Sequence, residues 1–302
     1  MNVINKISII SLTYNNAHLL QKAISSVNSQ IIDTKYEVEY LVVDDSSPKF
    51  NVQDVEDKLN KIIFKTQLII NPENFGTVKS FNRAIQASSG DIIIPLSADD
   101  EFYDEYVVRD IITEFINSQE LIITGVRVPI KEDKELNSLP LIKDRHLFQS
   151  RVLLLNKISS RGNIISGAST YYHRSVFDKV GFFDENYRLL EDYPFYLKTL
   201  ANGINIHFLN RNVIKYGTDG LTNNGRVNHL LIADFIKSYR YAISLGVLDF
   251  WQIRFVIYSK ILNYDEKFSI LNLLKYPDQF IIYSMLSIKN AIKIKIKKIF
   301  FS

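Results

Sequence analysis

Two pairs of adjacent carboxylates, Asp44-Asp45 and Asp99-Asp100, each close an apolar run, and they are the residues of this chain best suited to chemistry. The second is the more explicit: Gly90-Asp91 opens Ile92-Ile93-Ile94-Pro95-Leu96, and Ser97-Ala98-Asp99-Asp100 ends it. An unbroken apolar run of that length reads as a buried parallel strand, and open α/β sheets take their ligands at the carboxyl ends of such strands. Neighbouring carboxylates repel each other unless a cation, a base or solvent compensates them. Two readings of Asp99-Asp100 fit. As hard oxygen ligands they suit Mg²⁺ or Mn²⁺, which in turn bind phosphate oxygens. Alternatively they cap a helix beginning near Asp104, a common task for Asp.

The elements that must position these acids follow from periodicity. Lys6 to Leu12 reads as a first strand, Thr13-Tyr14-Asn15-Asn16 as a turn, and Ala17 to Gln30 carries Leu19, Leu20, Ala23, Ile24 and Val27 at helical spacing. Val38 to Val43 is a second strand, running into Asp44-Asp45-Ser46-Ser47-Pro48, where an Asx turn suits the residues. A helix near Val52 to Ile62, a strand from Gln67 to Ile70, a helix from about Thr77 to Ala87 and the Asp91 strand complete the first third. Alternation of this kind predicts an α/β fold, a right-handed and mostly parallel sheet flanked by helices. Both acid pairs then emerge at one edge and line one crevice.

Composition bounds the partners. With 302 residues, 46% hydrophobic and 23% charged, the chain has the make-up of a soluble globular protein, large enough for one full domain and an appendage. A net charge of only +3 gives no reason to expect a nucleic-acid partner. The absence of cysteine excludes disulfides, zinc-thiolate sites and thiol catalysis. Met1 to Leu20 lacks the pattern of a signal peptide, and no apolar run reaches a membrane span, so a cytoplasmic location is expected.

In order along the chain, several of these pieces resemble the inverting glycosyltransferases of family 2, which have the GT-A fold. The resemblance covers about Lys6 to Tyr216 and rests on Ile-Ile-Ser-Leu-Thr-Tyr-Asn-Asn, Leu-Val-Val-Asp-Asp-Ser-Ser, Asn74-Phe75-Gly76 with Asn82-Arg83-Ala84, Gly90-Asp91 through Asp100, Gly181-Phe182-Phe183-Asp184-Glu185, and Glu191-Asp192. It implies a nucleotide-sugar donor, a UDP-sugar first, with Thr13, Tyr14 and Asn15 in the turn near the base and Asp45 accepting the uracil imide proton. Asn74 and Gly76 belong to the segment that closes over the nucleotide, and Gly76 is suited to a turn with positive φ. Lys79 or Arg83 either faces the diphosphate or belongs to a solvated helical face. Ser97 stands where the family's metal motif carries its first carboxylate and can still hydrogen-bond the ribose. Asp99 and Asp100 then hold Mn²⁺ or Mg²⁺, with the direct ligand left open, and the metal would neutralise the departing diphosphate. Asp219 is a further oxygen ligand, in a region where the family commonly has a metal-binding His that this chain lacks.

Beyond Lys131-Glu132-Asp133-Lys134-Glu135, read as a solvated loop, His146 to Lys157 suggests an amphipathic helix and Ile164 to Ser169 resembles the family's acceptor border. Inversion needs a base for the attacking hydroxyl, in line with the departing phosphate. The resemblance makes Asp192 that base and Glu191 its supporting acid. Asp192 also suits the cap of the helix that follows, where the helix dipole would hold its pKa low. His173 and His207 read as structural. From Arg226 the pattern is helical, which divides the chain into a transferase domain, 1–222, and a helical region, 223–302. The last stretch, Ile288 to Phe301, holds five lysines and no acids, with Ile288, Ile292, Ile296 and Ile299 on one face if helical. Such a tail suits the inner face of the cell membrane and a peripheral location there; a helix packed on the domain or a frayed tail fits as well.

The expected activity is therefore transfer of a sugar from a nucleotide-sugar donor to a hydroxyl of a glycan or lipid-linked glycan acceptor, in bacterial surface polysaccharide biosynthesis. The alternative, prompted by Ser97 and the absent His, is a non-catalytic nucleotide-sugar-binding or scaffolding subunit.

Overall fold

The structure is a computed structural model that describes residues 4–132, 134–217 and 228–287. Asp219 and the basic stretch Ile288 to Phe301 lie outside the described residues. The chain divides into two compact units, residues 1–155 with 163–234, and residues 156–162 with 235–302.

The first unit is built on a nine-stranded mixed sheet. Its strands are β1 (Lys6–Thr13), β2 (Glu37–Asp44), β3 (Lys65–Ile70), β4 (Ile92–Pro95), β5 (Glu101–Phe102), β6 (Ile122–Lys131), β7 (Lys134–Glu135), β8 (Thr170–His173) and β9 (His207–Tyr216). The order is β3-β2-β1-β4-β8-β6-β9-β5, with β7 paired to β6. The first four strands are parallel, as their apolar runs predict, and β1 and β4 are buried on both faces. Beyond β4 the pairing turns mixed: β8 is antiparallel to β4 and β6, and β9 is parallel to β6 but antiparallel to β5.

The helices of this unit are α1 (Leu20–Asn28), α2 (Val52–Leu59), α3 (Thr77–Ala87), α4 (Val107–Ser118), α5 (Arg151–Arg161, which runs on into the second unit), α6 (Ser175–Val180) and α7 (Asp192–Ala201). Each of α1 to α4 buries one apolar stripe, in α3 Val78, Phe81, Ala84 and Ile85. The amphipathic segment expected over His146 to Lys157 is two pieces, a 3₁₀ turn at Ile142–Gln149 and then α5, with extended Ser150 between them. A ring cluster beneath α7 joins Phe183 to Phe81 (5.2 Å, stacked), Phe195 (4.6 Å) and Tyr172 (5.7 Å).

The second unit is helical where described, with the later part of α8 (His229–Ser244), α9 (Phe250–Val256), a π-turn at Ile257–Ile261, α10 (Tyr264–Phe268), α11 (Ile270–Lys275) and a helical stretch at 277–287. Asp249 with Gln252 and Asn263 with Glu266 form capping boxes that start α9 and α10. Its small core holds Ala242, Val256, Tyr258 and Tyr276.

Candidate functional site

The sheet order creates the site. From β1 the chain steps outward to β2 and β3, then returns to place β4 on the other side of β1, so strand order reverses between β1 and β4. Adjacent loops part at such a point and leave a crevice at the carboxyl ends. Thr13 is in register with Asp44, and Ile10 with Pro95, so both acid turns leave the sheet at the same edge. A cavity of about 290 Å³ opens there. Its walls include Thr13, Tyr14, Asp45, Ser97, Asp99 and Glu191, together with Gly167, Ala168, Tyr172 and Tyr216.

On the β2 side nearly every polar atom is matched. Asp44 accepts from the backbone N–H and hydroxyl of Ser47, which is the expected Asx turn, and Ser47 Oγ accepts from Asn15 N–H. Asn15 has φ +59° and is not among the cavity walls. Thr13 Oγ1 and Tyr14 N–H both donate to Asn16 Oδ1, which leaves the Tyr14 ring 41% exposed at the cavity edge. Asp45 is the hub. Its Oδ1 accepts from Asn71 Nδ2, Phe75 N–H and Ser80 Oγ at 2.8–2.9 Å, and its Oδ2 from Gly76 N–H at 2.9 Å. The residue expected to read a base thus also folds the Asn71–Gly76 loop, with Oδ2 retaining acceptor capacity toward the cavity.

Gly76 starts α3 with φ +81°, and a side chain there would meet the Arg188 carbonyl oxygen at 2.7 Å. Asn74 receives the Arg188 guanidinium on its backbone and side-chain oxygens. The two cations assigned to a diphosphate are engaged elsewhere: exposed Lys79 lies over the Phe75 ring at 4.0 Å, and Arg83 donates to Asn71 Oδ1 at 2.6 Å. Neither is a cavity wall. Asn82, next to Arg83, donates to Phe183 O and accepts from Phe183 N–H, so two of the recognised motifs prove to be one structural clasp.

The β4 turn is less settled. Asp100 N–H donates to Ser97 O, Asp99 faces the cavity and Asp100 turns inward. Asp100 Oδ1 accepts from Gly217 N–H at 2.8 Å, while its buried Oδ2 has no hydrogen-bond partner among the described residues. Burial, then the neighbouring Asp99, push its pKa up to about 8 against the pull of Gly217, Ser97 and Arg127. The helix-cap reading does not hold, because α4 starts at Tyr106 without a side-chain cap and Asp104 is taken by Arg211. Among the described residues no group of three or more His, Asp and Glu side chains gathers to hold a metal ion. Mg²⁺ commonly takes one or two carboxylates and completes its shell from water and substrate phosphate, and Asp99, backed by the unpartnered Asp100 oxygen, fits that pattern.

The third acid pair closes the far wall. Glu191 precedes α7 and Asp192 is its first residue, so Asp192 sits inside the helix start rather than capping it. Asp192 Oδ1 accepts from Tyr193 N–H at 2.6 Å and Oδ2 from Asn163 Nδ2 at 3.3 Å. A Cβ on Gly167 would come within 3.2 Å of this carboxylate, so the acid packs directly behind a cavity wall. Burial raises the pKa of both acids above the ordinary carboxylate range, with repulsion from Asp192 raising Glu191 further. The expectation of a low pKa at the helix start is thereby reversed: desolvation outweighs the local backbone N–H groups. The two acids are adjacent and titrate as a pair, which holds its protons more tightly than ordinary carboxyls do.

Two residues that carry no sequence signal complete the site. Arg127 on β6 stacks over the Tyr216 ring at 3.9 Å and stabilises the charge of both Asp100 and Asp192. Asp234 on α8 accepts at Oδ2 from three successive backbone N–H groups, those of Arg188, Leu189 and Leu190, and so fixes the turn that delivers Glu191. A lone Arg in a strand and a lone Asp in a helix look like surface residues in sequence. His173 and His207 are structural as expected, bonded to Ser175 and Glu114.

Comparison with known proteins completes the picture. The family model described as glycosyl transferase family 2 matches residues 8–181. A curated relative, an uncharacterised glycosyltransferase of Rickettsia typhi, is 25% identical over 74% of this chain and 68% of its own length. One from Rickettsia conorii is 27% identical over 76% of this chain but only 38% of its own length. Among solved structures, S. aureus TarS residues 1–349 in complex with UDP-GlcNAc superposes with a TM-score of 0.61 at 20% identity, over 91% of this chain and 78% of that one. The mannosyltransferase PcManGT from Pyrobaculum calidifontis, in complex with GDP-Man and Mn²⁺, gives 0.58 at 15% identity over 80% and 65%. The β1–β4 crevice and the length of the family match agree, and the chain belongs to glycosyl transferase family 2.

Proposed function

We propose that this chain is an inverting glycosyltransferase that takes its sugar from a UDP-sugar and passes it to a hydroxyl of a glycan or lipid-linked glycan, in the assembly of a bacterial surface polysaccharide. The observation that carries the reading is the meeting, around one crevice, of the Thr13 to Asp45 wall, the Asp99 turn and the Glu191-Asp192 pair. Residues 1–222 form the transferase domain on this reading and 223–302 an appended helical region. The chain would work in the cytoplasm, with the tail 288–301 at the membrane face when the acceptor is lipid-linked.

The chemistry follows from the groups present. Tyr14 offers an exposed ring for a base, and Asp45 Oδ2 an acceptor for an imide N–H. Ser97 offers its hydroxyl to the ribose. Asp192 in its carboxylate form accepts the proton of the acceptor hydroxyl as the hydroxyl oxygen attacks the anomeric carbon, and the bond from that carbon to the diphosphate breaks in the same displacement. Glu191, buried beside Asp192 with a raised pKa, holds a proton more readily than an ordinary carboxyl and so limits repulsion at the base. Mn²⁺ or Mg²⁺ held at Asp99, with Asp100 and Asp219 as further candidate ligands, would offset the charge of the leaving diphosphate.

The test is calorimetric titration with UDP and GDP, with and without Mn²⁺, followed by a screen of UDP-sugars as donors and NMR of the product's anomeric configuration. Donor binding and an inverted product support the proposal. Asp192→Asn should abolish transfer with donor affinity kept; binding without transfer to any acceptor would point to a non-catalytic subunit, and retention of configuration would sink the mechanism.

A further inference from the structure

Charge is unevenly divided along this chain. Residues 156–162 and 235–302 carry thirteen Lys and Arg against four Asp and Glu, whereas the remainder carries 23 against 29. The modest overall charge therefore conceals a basic second unit beside an acidic first one.

The same unit exposes apolar surface at regular spacing. On α11, Ile270, Leu271 and Leu274 fall at i, i+1 and i+4, and are 79, 75 and 78% exposed. On the stretch 277–287, Ile281, Ile282, Met285 and Leu286 repeat that pattern and are exposed too. The inward positions are occupied: Phe280 and Tyr283 pack edge-on against Phe268, and Tyr258 against Tyr276 and Tyr283. The outward residues are thus a second face, left uncovered by a core already made. Phe250 and Trp251 are also exposed, at the first two positions of α9. The sequence then runs directly into the five lysines of 288–302.

We propose that α9, α11 and the stretch 277–287 form a docking surface for an anionic lipid bilayer. Apolar stripes enter the boundary between headgroups and acyl chains, the aromatic pair sits at headgroup level, and the lysines draw the unit to negative headgroups. Charge complementarity selects this occupant: a second copy docking through this same unit would bring like charge against like, and nucleic acid has no use for exposed Ile, Leu and Met. The proposal gives the membrane part of the proposed function a surface of its own. It involves no residue of the donor crevice, so its failure leaves the transfer chemistry standing, and failed transfer leaves it standing.

The chain carries a single tryptophan, Trp251, which serves as the probe. Full-length protein is mixed with vesicles of phosphatidylcholine containing 30 mol% phosphatidylglycerol, with pure phosphatidylcholine vesicles alongside, and followed by flotation and Trp251 emission. Binding to the anionic vesicles with a blue shift, at least tenfold weaker on neutral ones, is expected. Ile270→Ser with Leu274→Ser, both at solvent-exposed positions, should weaken binding about tenfold with an unchanged melting curve. Replacing the five tail lysines by Gln should weaken it further and flatten its salt dependence. The proposal fails if the protein does not float, if neutral vesicles bind as well, or if the apolar double variant binds like the parent. It fails equally if light scattering finds a dimer that this variant dissolves while vesicles are ignored, or if duplex DNA binds and vesicles do not.

Discussion

The two walls of the crevice are built on opposite principles. On the β2 side Asp45 takes four hydrogen bonds, Asp44 two from Ser47, and Asn71 is held by Arg83, so the polar groups were matched when the chain folded. On the α7 side two adjacent carboxylates sit half-buried with raised pKa values, and at the β4 turn Asp100 keeps a buried oxygen without a partner. A satisfied network holds a shape at little cost, whereas frustrated charge raises the energy of the empty site and falls when a proton or a cation arrives. One wall is settled in shape; the other carries acids whose charge is held back by burial.

That contrast can be broken from either side. Asp192→Asn should lower the transfer rate by about 10³-fold, in the range general-base catalysis contributes, with nucleotide affinity within a factor of two by calorimetry. Asp45→Ala should do the reverse of that split: four donors lose their acceptor, and a stability loss of about 3 kcal/mol in urea should accompany lost nucleotide binding. Asp234→Ala should cost about 1–2 kcal/mol and lower kcat about tenfold, with a smaller loss of nucleotide affinity, because it unfixes the turn before Glu191 and Arg188 of that turn also holds Asn74.

Glu191→Gln sharpens the comparison through pH. A carboxyl whose pKa is raised by folding holds its proton more tightly folded than unfolded, so the wild type loses stability as pH rises from the ordinary carboxylate range through the raised value. The Gln variant should match wild type at pH 4 and exceed its stability at pH 8 in urea titrations. Lys79→Ala gives the smallest effect: with its ammonium on Phe75 and away from the cavity, nucleotide affinity should change less than twofold.

The parallel half of the molecule was readable because its signals are local. Apolar runs define β1, β2 and β4, the last two leading into Asp pairs, and the helix expected from Thr77 to Ala87 occupies those residues. The mixed half was not, because β8 and β9 find their partners across long stretches of chain and a strand's own residues do not name its neighbour. Within the site, residue type was legible and direction was not. Lys79 and Ser80 are consecutive on α3, yet Lys79 points to solvent and Ser80 to Asp45, a distinction that the roughly 100° step between neighbouring helical residues decides. Arg127 and Asp234 act by what they oppose in space, and no periodicity marks that.

The Asn82 clasp has a consequence for how the site comes into being. Its amide reaches Phe183 across 101 residues, and the Arg188 guanidinium reaches Asn74 across 114. Such contacts are rewarded only after long loops have closed, so they belong to the late, slow part of folding. A nascent chain released after the Asp99 turn would hold Asp45 and its bonds to the Asn71–Gly76 loop yet lack Arg188 and Phe183, which clamp Asn74 and Asn82. On the proposed reading, the two walls of the crevice are therefore clamped to each other only when the segment that delivers Glu191 and Asp192 has been made.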